Sequence, residues 1–245
     1  NSRSTGDNTN YHSFQNSRYV TTVASTDSNG DTSSFSTPGA SILVSAFGEN
    51  VYTTCINCAG PNDPNGYGYF SGTSASAPLV SGVIALMLEA NPNLGYRDVQ
   101  QILAYSSRQE TNDGFKFNGS NNWNGGGLHI SHDQGFGLVD AHAAVRIAES
   151  WDHEPLTAHN EQKIIQRLNA DSSIPDYDSN GISFNTTIDS SIDVEWAEVE
   201  LDIRHDKIAD LIVELTSPSG TTARLIDRPT VTDTNPNGSS GSYSG

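Results

Sequence analysis

The segment Gly72-Thr73-Ser74-Ala75-Ser76-Ala77-Pro78 decides how the rest of the chain is read. It runs into Leu79-Val80-Ser81-Gly82 and an apolar stretch that stops at Asn91-Pro92-Asn93. From Thr73 to Ala90 the apolar positions leave almost no polar face, so a helix buried on most sides is expected. Pro78 is expected within about the first turn, where a missing N–H costs little. Ser74 then stands where a loop enters a helix, among unpaired backbone N–H groups with partial positive charge. An oxyanion forming beside its hydroxyl would meet donors already oriented, and small neighbours would let another backbone come close. From spacing alone, a plain serine N-cap fits equally well.

Working outward, Arg18 to Ser25 and Ile42 to Ala46 are β-branched apolar runs bounded by turn residues. Asp27-Ser28-Asn29-Gly30-Asp31 between them has a superficial likeness to a calcium loop, but Asn-Gly predicts a hairpin. After the central helix, Tyr96, Val99, Ile102 and Leu103 mark a second one with its charges on the other face. Glu110 to Asp133 is rich in Asn and Gly and predicts a long surface loop. Asp140 then reads as an N-cap, with Ala141, Ala144, Val145, Ala148 and Trp151 at helical spacing.

Behind Trp151 the pattern changes. Asp152 to His159 is linker-like, and from about Ile164 the apolar runs alternate with period two. Val199, Leu201 and Ile203 form one set; Leu211, Val213 and Leu215 another; Ser217-Pro218-Ser219-Gly220 turns the chain into Thr222 to Ile226. An antiparallel β-sandwich is expected. The boundaries are 1–151 for the mixed part, 152–163 for a linker and 164–245 for the β part. Asp176-Tyr177-Asp178-Ser179-Asn180-Gly181 opens like an EF-hand loop. Its twelfth position is Thr187 and strand patterns flank it, so a turn is expected.

With 12 Lys plus Arg against 29 Asp plus Glu, the 245-residue chain carries a formal charge of -17. That argues against a nucleic-acid partner, which needs basic patches to displace counterions. The longest apolar run, Leu79 to Leu88, is about half of a bilayer crossing, so no membrane span is expected. Cys55 and Cys58 are the only cysteines. A second pair and a nearby histidine ligand are missing, so four-ligand zinc fails on count. A short-range disulfide in an oxidising compartment, free thiols, or pairing outside this stretch remain. The first residue is Asn1 and the only methionine is Met87, which suggests a fragment cut at both ends rather than a processed form.

The Gly72 to Gly82 segment resembles the nucleophile signature of the subtilisin-like serine proteases. Leu88 to Leu94, Arg97-Asp98-Val99-Gln100, Ile130-Ser131-His132 and Gly135 to Ala141 resemble their kexin and furin branch. Ile174-Pro175-Asp176, Ile203-Arg204-His205, Asp210-Leu211 and Ser217 to Thr221 resemble the P domain that follows in that branch. The resemblance implies the C-terminal half of an α/β subtilisin-like catalytic domain, followed by a partial all-β jelly-roll or sandwich P domain packed on it. It implies a secreted endopeptidase acting on protein or peptide substrates.

Residue roles follow from the resemblance. Ser74 is the implied nucleophile. Asn1 is the implied side-chain donor to the oxyanion, because Gly6-Asp7-Asn8 follows it at the family's distance; it is also simply the first residue. The general base and its aspartate precede that asparagine in family order, and none of the seven histidines lies in a His-Gly-Thr context. His132 belongs to the Ile-Ser-His stretch, His205 ends a strand, and His129, His142, His153 and His159 read as loop or surface. This chain by itself should not turn over substrate. Kexin-type enzymes carry acidic residues where this sequence has His12 and Thr37, which weakens the case for dibasic cleavage. The family implies calcium, with Asp7 as the one surviving carboxylate of that site. The competing reading is a protease-derived scaffold or binding module.

Overall fold

The computed structural model describes the chain apart from residues 1–2, 56–65, 112–113, 118–120, 123–124, 127, 169–170, 177, 233–234, 236, 239–240 and 245. The mixed part begins with β1 (Thr22–Thr26) and β2 (Ile42–Phe47), which pair in parallel with Val23 opposite Val44 and Ala24 opposite Ser45. The expected hairpin at Asn29-Gly30 is therefore not the link between these strands. The turn folds the chain only onto the end of β1, through a Thr26–Thr32 bridge. The Asp27 carboxylate accepts the N–H groups of Asn29 and Asp31 at 2.8 and 3.0 Å, so it closes a turn rather than a calcium loop. A parallel partner needs a crossover, and residues 33–41 supply it.

Next come an antiparallel hairpin, β3 (Val51–Thr54) with β4 (Tyr67–Phe70), and then α1 (Thr73–Ala90). Helix α1 lies on β1 and β2, with α2 (Tyr96–Ser106) and α3 (Ala141–Glu149) completing the layer. Val80, Met87, Ile102 and Leu103 are almost fully enclosed. Each large side chain so buried contributes about 1.5–3 kcal/mol. Two expectations for α1 need correction. Only its Ala75–Ser76–Val80–Val83–Met87 face is buried, while Leu79, Leu86 and Leu88 are exposed on the other side. Pro78 stands inside the helix as its sixth residue, where the absent N–H leaves the Ser74 carbonyl without its i+4 donor. At 18 residues and mean hydropathy 1.4, α1 also meets the length and composition of a membrane span, while its core face packs on the sheet.

Helix α3 starts as its sequence dictates, with the Asp140 carboxylate accepting the Ala143 N–H at 2.9 Å. Helix α2 breaks its pattern at Asp98, expected on the charged face but 1% exposed. Between them the loop is more ordered than expected. Short pairs form between β5 (Lys116–Phe117) and β8 (His129–Ile130), and between β6 (Asn121–Asn122) and β7 (Gly125–Gly126). Residues 136–139 then run along β2, with Phe136 N–H donating to Leu43 O and Val139 N–H to Ser45 O at 2.8 and 2.9 Å. Gly135 makes that approach possible. Its φ is +61°, and a Cβ there would lie 2.3 Å from Leu43 O.

His129 is neither loop nor free surface: its ring meets Phe115 edge-on at 5.3 Å, and its Nε2 is buried without a partner among the described residues. Desolvation holds its pKa below the ordinary 6.5, opposed by a hydrogen bond to the Phe136 backbone. As pH falls, the unfolded chain takes up this proton first. The stability that His129 contributes is therefore complete above about pH 6.5 and lost below it, toward the depressed folded value. His129→Phe should flatten the decline of Tm between pH 7 and 5; an unaltered decline would rule His129 out as its source.

The β part is sparser than its period-two pattern suggested. The described residues between 161 and 201 hold no strand, and Val194 and Val199 stay exposed, because no neighbouring strand takes up their backbone hydrogen bonds. Four strands form: β9 (Asp202–His205), β10 (Ile212–Thr216), β11 (Thr222–Asp227) and β12 (Gly241–Ser244). They pair antiparallel as β9–β12 and β10–β11, around the buried Ala209, Leu211 and Ile226. Strand β11 lies on the segment after Asp7. The Asn10 side chain donates to Leu225 O at 3.2 Å, Asp227 N–H donates to the Tyr11 hydroxyl at 3.1 Å, and Arg224 N–H reaches His132 Nε2 at 3.4 Å. Farther along, Arg97 holds Glu195 through two nitrogens at 2.6 and 2.7 Å and the Thr157 carbonyl at 2.8 Å.

Candidate active site

Ser74 is the second residue of α1, and it is exposed. Among the described residues its hydroxyl makes no hydrogen bond, and the helix N-cap is Gly72, so Ser74 is not an N-cap. Gly72 has φ +150°, a conformation that side-chain-bearing residues rarely adopt, and it turns the chain sharply from β4 into the helix. That turn is held from beneath. Gly72 N–H donates to Gly48 O at 2.8 Å, Gly48 N–H donates to Thr26 O at 2.9 Å, and Asn50 N–H donates to Ser71 Oγ at 2.9 Å. A Cβ on Gly48 would sit 2.2 Å from Ser25 Oγ and 2.3 Å from Ser76 Oγ, so the turn into α1 rests on a floor with no spare volume. An exposed hydroxyl at a helix N-terminus, beside the backbone N–H groups of the helix start, can attack a carbonyl and have the resulting negative charge held.

The sequence reading missed Gly48, Ser71 and Asn50. The available signal was Phe47-Gly48-Glu49-Asn50 directly after a strand, a glycine and an asparagine where the chain must turn; Asn50 does adopt φ +52°.

The other site residues are less gathered. Asn1 lies outside the described residues. Asp7 is mostly enclosed, with its Oδ1 accepting Asn8 N–H at 2.9 Å and facing His12 Nε2 at 2.8 Å. A calcium cage needs six to eight oxygens, with several carboxylates. Here one carboxylate oxygen is already paired with an imidazole, and among the described residues no three His, Cys, Asp or Glu side chains gather as a metal site. Asp7 therefore stands as a single carboxylate with Oδ1 engaged, and no cluster of acidic side chains gathers around it among the described residues. Two further histidines are engaged elsewhere. His132 faces β11, and His205 Nδ1 lies 2.7 Å from Lys207 O. Cys55 is disulfide-bonded; the chain's other cysteine, Cys58, lies outside the described residues.

Comparison with known proteins agrees with this geometry. Residues 1–137 match the subtilase family, and residues 194–243 match the proprotein convertase P-domain. Proprotein convertase subtilisin/kexin type 5 of Rattus norvegicus is 38% identical over 162 residues, covering 64% of this chain and 9% of that protein. Type 6 of the same organism is 31% identical over 241 residues, covering 90% of this chain and 24% of that protein. The chain thus spans well under two thirds of these relatives. Among solved structures, the serine protease of Aeromonas sobria superposes with a TM-score of 0.69 at 22% identity, over 91% of this chain and 45% of that one, which supports the same fold. A glycine-entered Ser74 at the head of α1, a parallel β1–β2 pair beneath it and these matches lead to one assignment: the chain belongs to the subtilase family and carries part of a proprotein convertase P-domain behind its α/β unit.

Proposed function

We propose that the intact protein is a serine endopeptidase in which Ser74 is the nucleophile. The observation that carries this reading is the exposed, unbonded Ser74 hydroxyl at the N-terminus of α1. Ser74 Oγ attacks the scissile carbonyl while a histidine upstream of Asn1, oriented by an aspartate, takes its proton. The oxyanion is held by the Ser74 N–H and the Asn1 side-chain amide. The C–N bond then breaks as the histidine returns the proton to the leaving amine, and water releases the acyl group from Ser74.

Substrates in this reading are proteins or peptides. His12 and Thr37 stand in place of carboxylates, so dibasic sequences are not the preferred class. A disulfide-bonded Cys55 supports a secreted or otherwise oxidising location. The β10–β11 unit, seated on Asn10 and Tyr11, acts as a P domain bracing the catalytic domain. Calcium is kept for the intact protein, with Asp7 as the one carboxylate this chain would offer it.

A fluorophosphonate probe on the intact protein tests the reading. Labelling at Ser74 is expected, and a probe that modifies nothing there would reject it. The alternative, a protease-derived binding module, is favoured by one observation: the described histidines with hydrogen bonds all serve other partners. An upstream segment without His-Gly-Thr would turn the balance to it.

A further inference from the structure

The β3–β4 hairpin carries an aromatic face for which the chemistry at Ser74 has no use. Tyr52 stands opposite Tyr69 in the ladder, and Tyr67 lies two residues from Tyr69, so all three side chains share one face. Tyr52 meets Tyr69 at 5.2 Å between ring centres and stacks on Tyr67 at 5.6 Å. They are nevertheless 57%, 72% and 41% exposed. Three contiguous rings exposed to this degree form an aromatic patch of the kind that marks interaction sites. Stacked tyrosines bring large contact area with few rotatable bonds, the composition of binding surfaces.

The hairpin is also held in place. Cys55 N–H donates to Gly66 O at 2.7 Å at the far end, where Cys55 is disulfide-bonded. At the near end, the Asn50–Ser71 and Gly72–Gly48 hydrogen bonds tie it to the nucleophile turn. The rings therefore sit on a platform whose ordering cost is met before anything binds. Tyr69 lies five positions before Ser74, at most about 18 Å of extended chain. A polypeptide bound across Ser74 advances about 3.3 Å per residue, so its residues up to five or six from the scissile bond come within range. From Phe47 to Ser74 the only ionisable acids are Glu49 and Asp63, and there is no Lys or Arg. The surface suits uncharged apolar side chains better than basic ones.

Resting on the endopeptidase reading, we propose that the Tyr52–Tyr67–Tyr69 face is a substrate-binding surface, taking aromatic and aliphatic side chains of an extended polypeptide that lies across Ser74.

The test is binding, measured without turnover in the intact protein carrying Ser74→Ala. The probe is a fluorescein-labelled twelve-residue peptide with Phe and Leu alternating with Ser; a peptide of Ser and Gly alone is the control. The Phe/Leu peptide should bind and the control should not. Tyr52→Ala and Tyr69→Ala should each weaken Kd at least tenfold, and Tyr69→Phe should hold it within about threefold. All three residues are exposed, so Tm should stay unchanged, and the Phe variant separates loss of the ring from loss of the fold. Equal Kd in the Ala variants would overturn the proposal. So would tyrosines needed only for self-association, seen as a dimer that Tyr69→Ala dissolves without changing peptide affinity. Probe labelling of Ser74 in the unsubstituted protein is scored separately, so a failed nucleophile and a failed binding surface give different results.

Discussion

Replacing Ser74 by Ala in the intact protein should lower peptide hydrolysis by on the order of 10⁶-fold, a magnitude whose reference case is itself a subtilisin. Thermal stability should stay where it was. Both halves of this expectation come from the same observation. The Ser74 hydroxyl is exposed and makes no hydrogen bond among the described residues, so removing it costs the fold nothing. The oxyanion donors and the substrate contacts survive the substitution, which is why a residual rate over water should persist. Ser76→Ala is the matched control. Ser76 lies two residues on and is completely buried, with no partner among the described residues for its Oγ. Its loss should leave kcat/KM within a few-fold and change stability little, because no formed hydrogen bond is removed. Similar losses of activity in the two variants would mean that the turn, not the Ser74 hydroxyl, carries the effect.

The helix start that carries Ser74 was legible because the signal is local. A run of small residues with a helix directly behind it requires no long-range information, and α1 begins and ends where its sequence says. The same holds for Asp140 at the head of α3. What the sequence hid depends on packing between distant segments. Val23 and Val44 look like members of any β pair, and only the crossover through residues 33–41 makes their pairing parallel. Gly135 gave no sign that it would press against Leu43, 92 positions earlier in the chain. The outer face of α1 misled in the opposite direction: its leucines read as core, but burial needs a neighbour as well as an apolar side chain. Val199 and Leu201 misled likewise, since alternation marks a strand only where another strand accepts its hydrogen bonds. At the site, the helix-borne half was readable, whereas the Gly48 floor beneath it and the His12–Asp7 pair were not.

Asp98→Ala should destabilise the protein by about 4 kcal/mol, the largest stability effect expected of a single side chain here. Helical periodicity places Asp98 on the polar face of α2, yet it is 1% exposed. Its Oδ2 accepts the N–H groups of Gly95 at 2.8 Å and Leu156 at 2.9 Å, while Oδ1 accepts Trp151 Nε1 at 2.9 Å. One carboxylate thus satisfies the start of α2, the second residue past α3 and the segment leading to the β part. Alanine would strand three donors at once, Gly95 N–H buried and the Trp151 and Leu156 donors half-buried, each costing about 1–3 kcal/mol less whatever water recovers. Asparagine would not rescue it, because its NH₂ would face a donor wherever it pointed. The comparison variant is Asp140→Ala, which removes an N-cap at the less buried head of α3 and should cost about 1 kcal/mol. Urea denaturation of the two variants separates them. A difference smaller than 1 kcal/mol would show that Asp98 is an ordinary cap rather than the tie between three segments. The larger loss should also be accompanied by earlier proteolysis near residue 156, since the Leu156 N–H and the Arg97 contacts with Thr157 and Glu195 anchor that segment to α2.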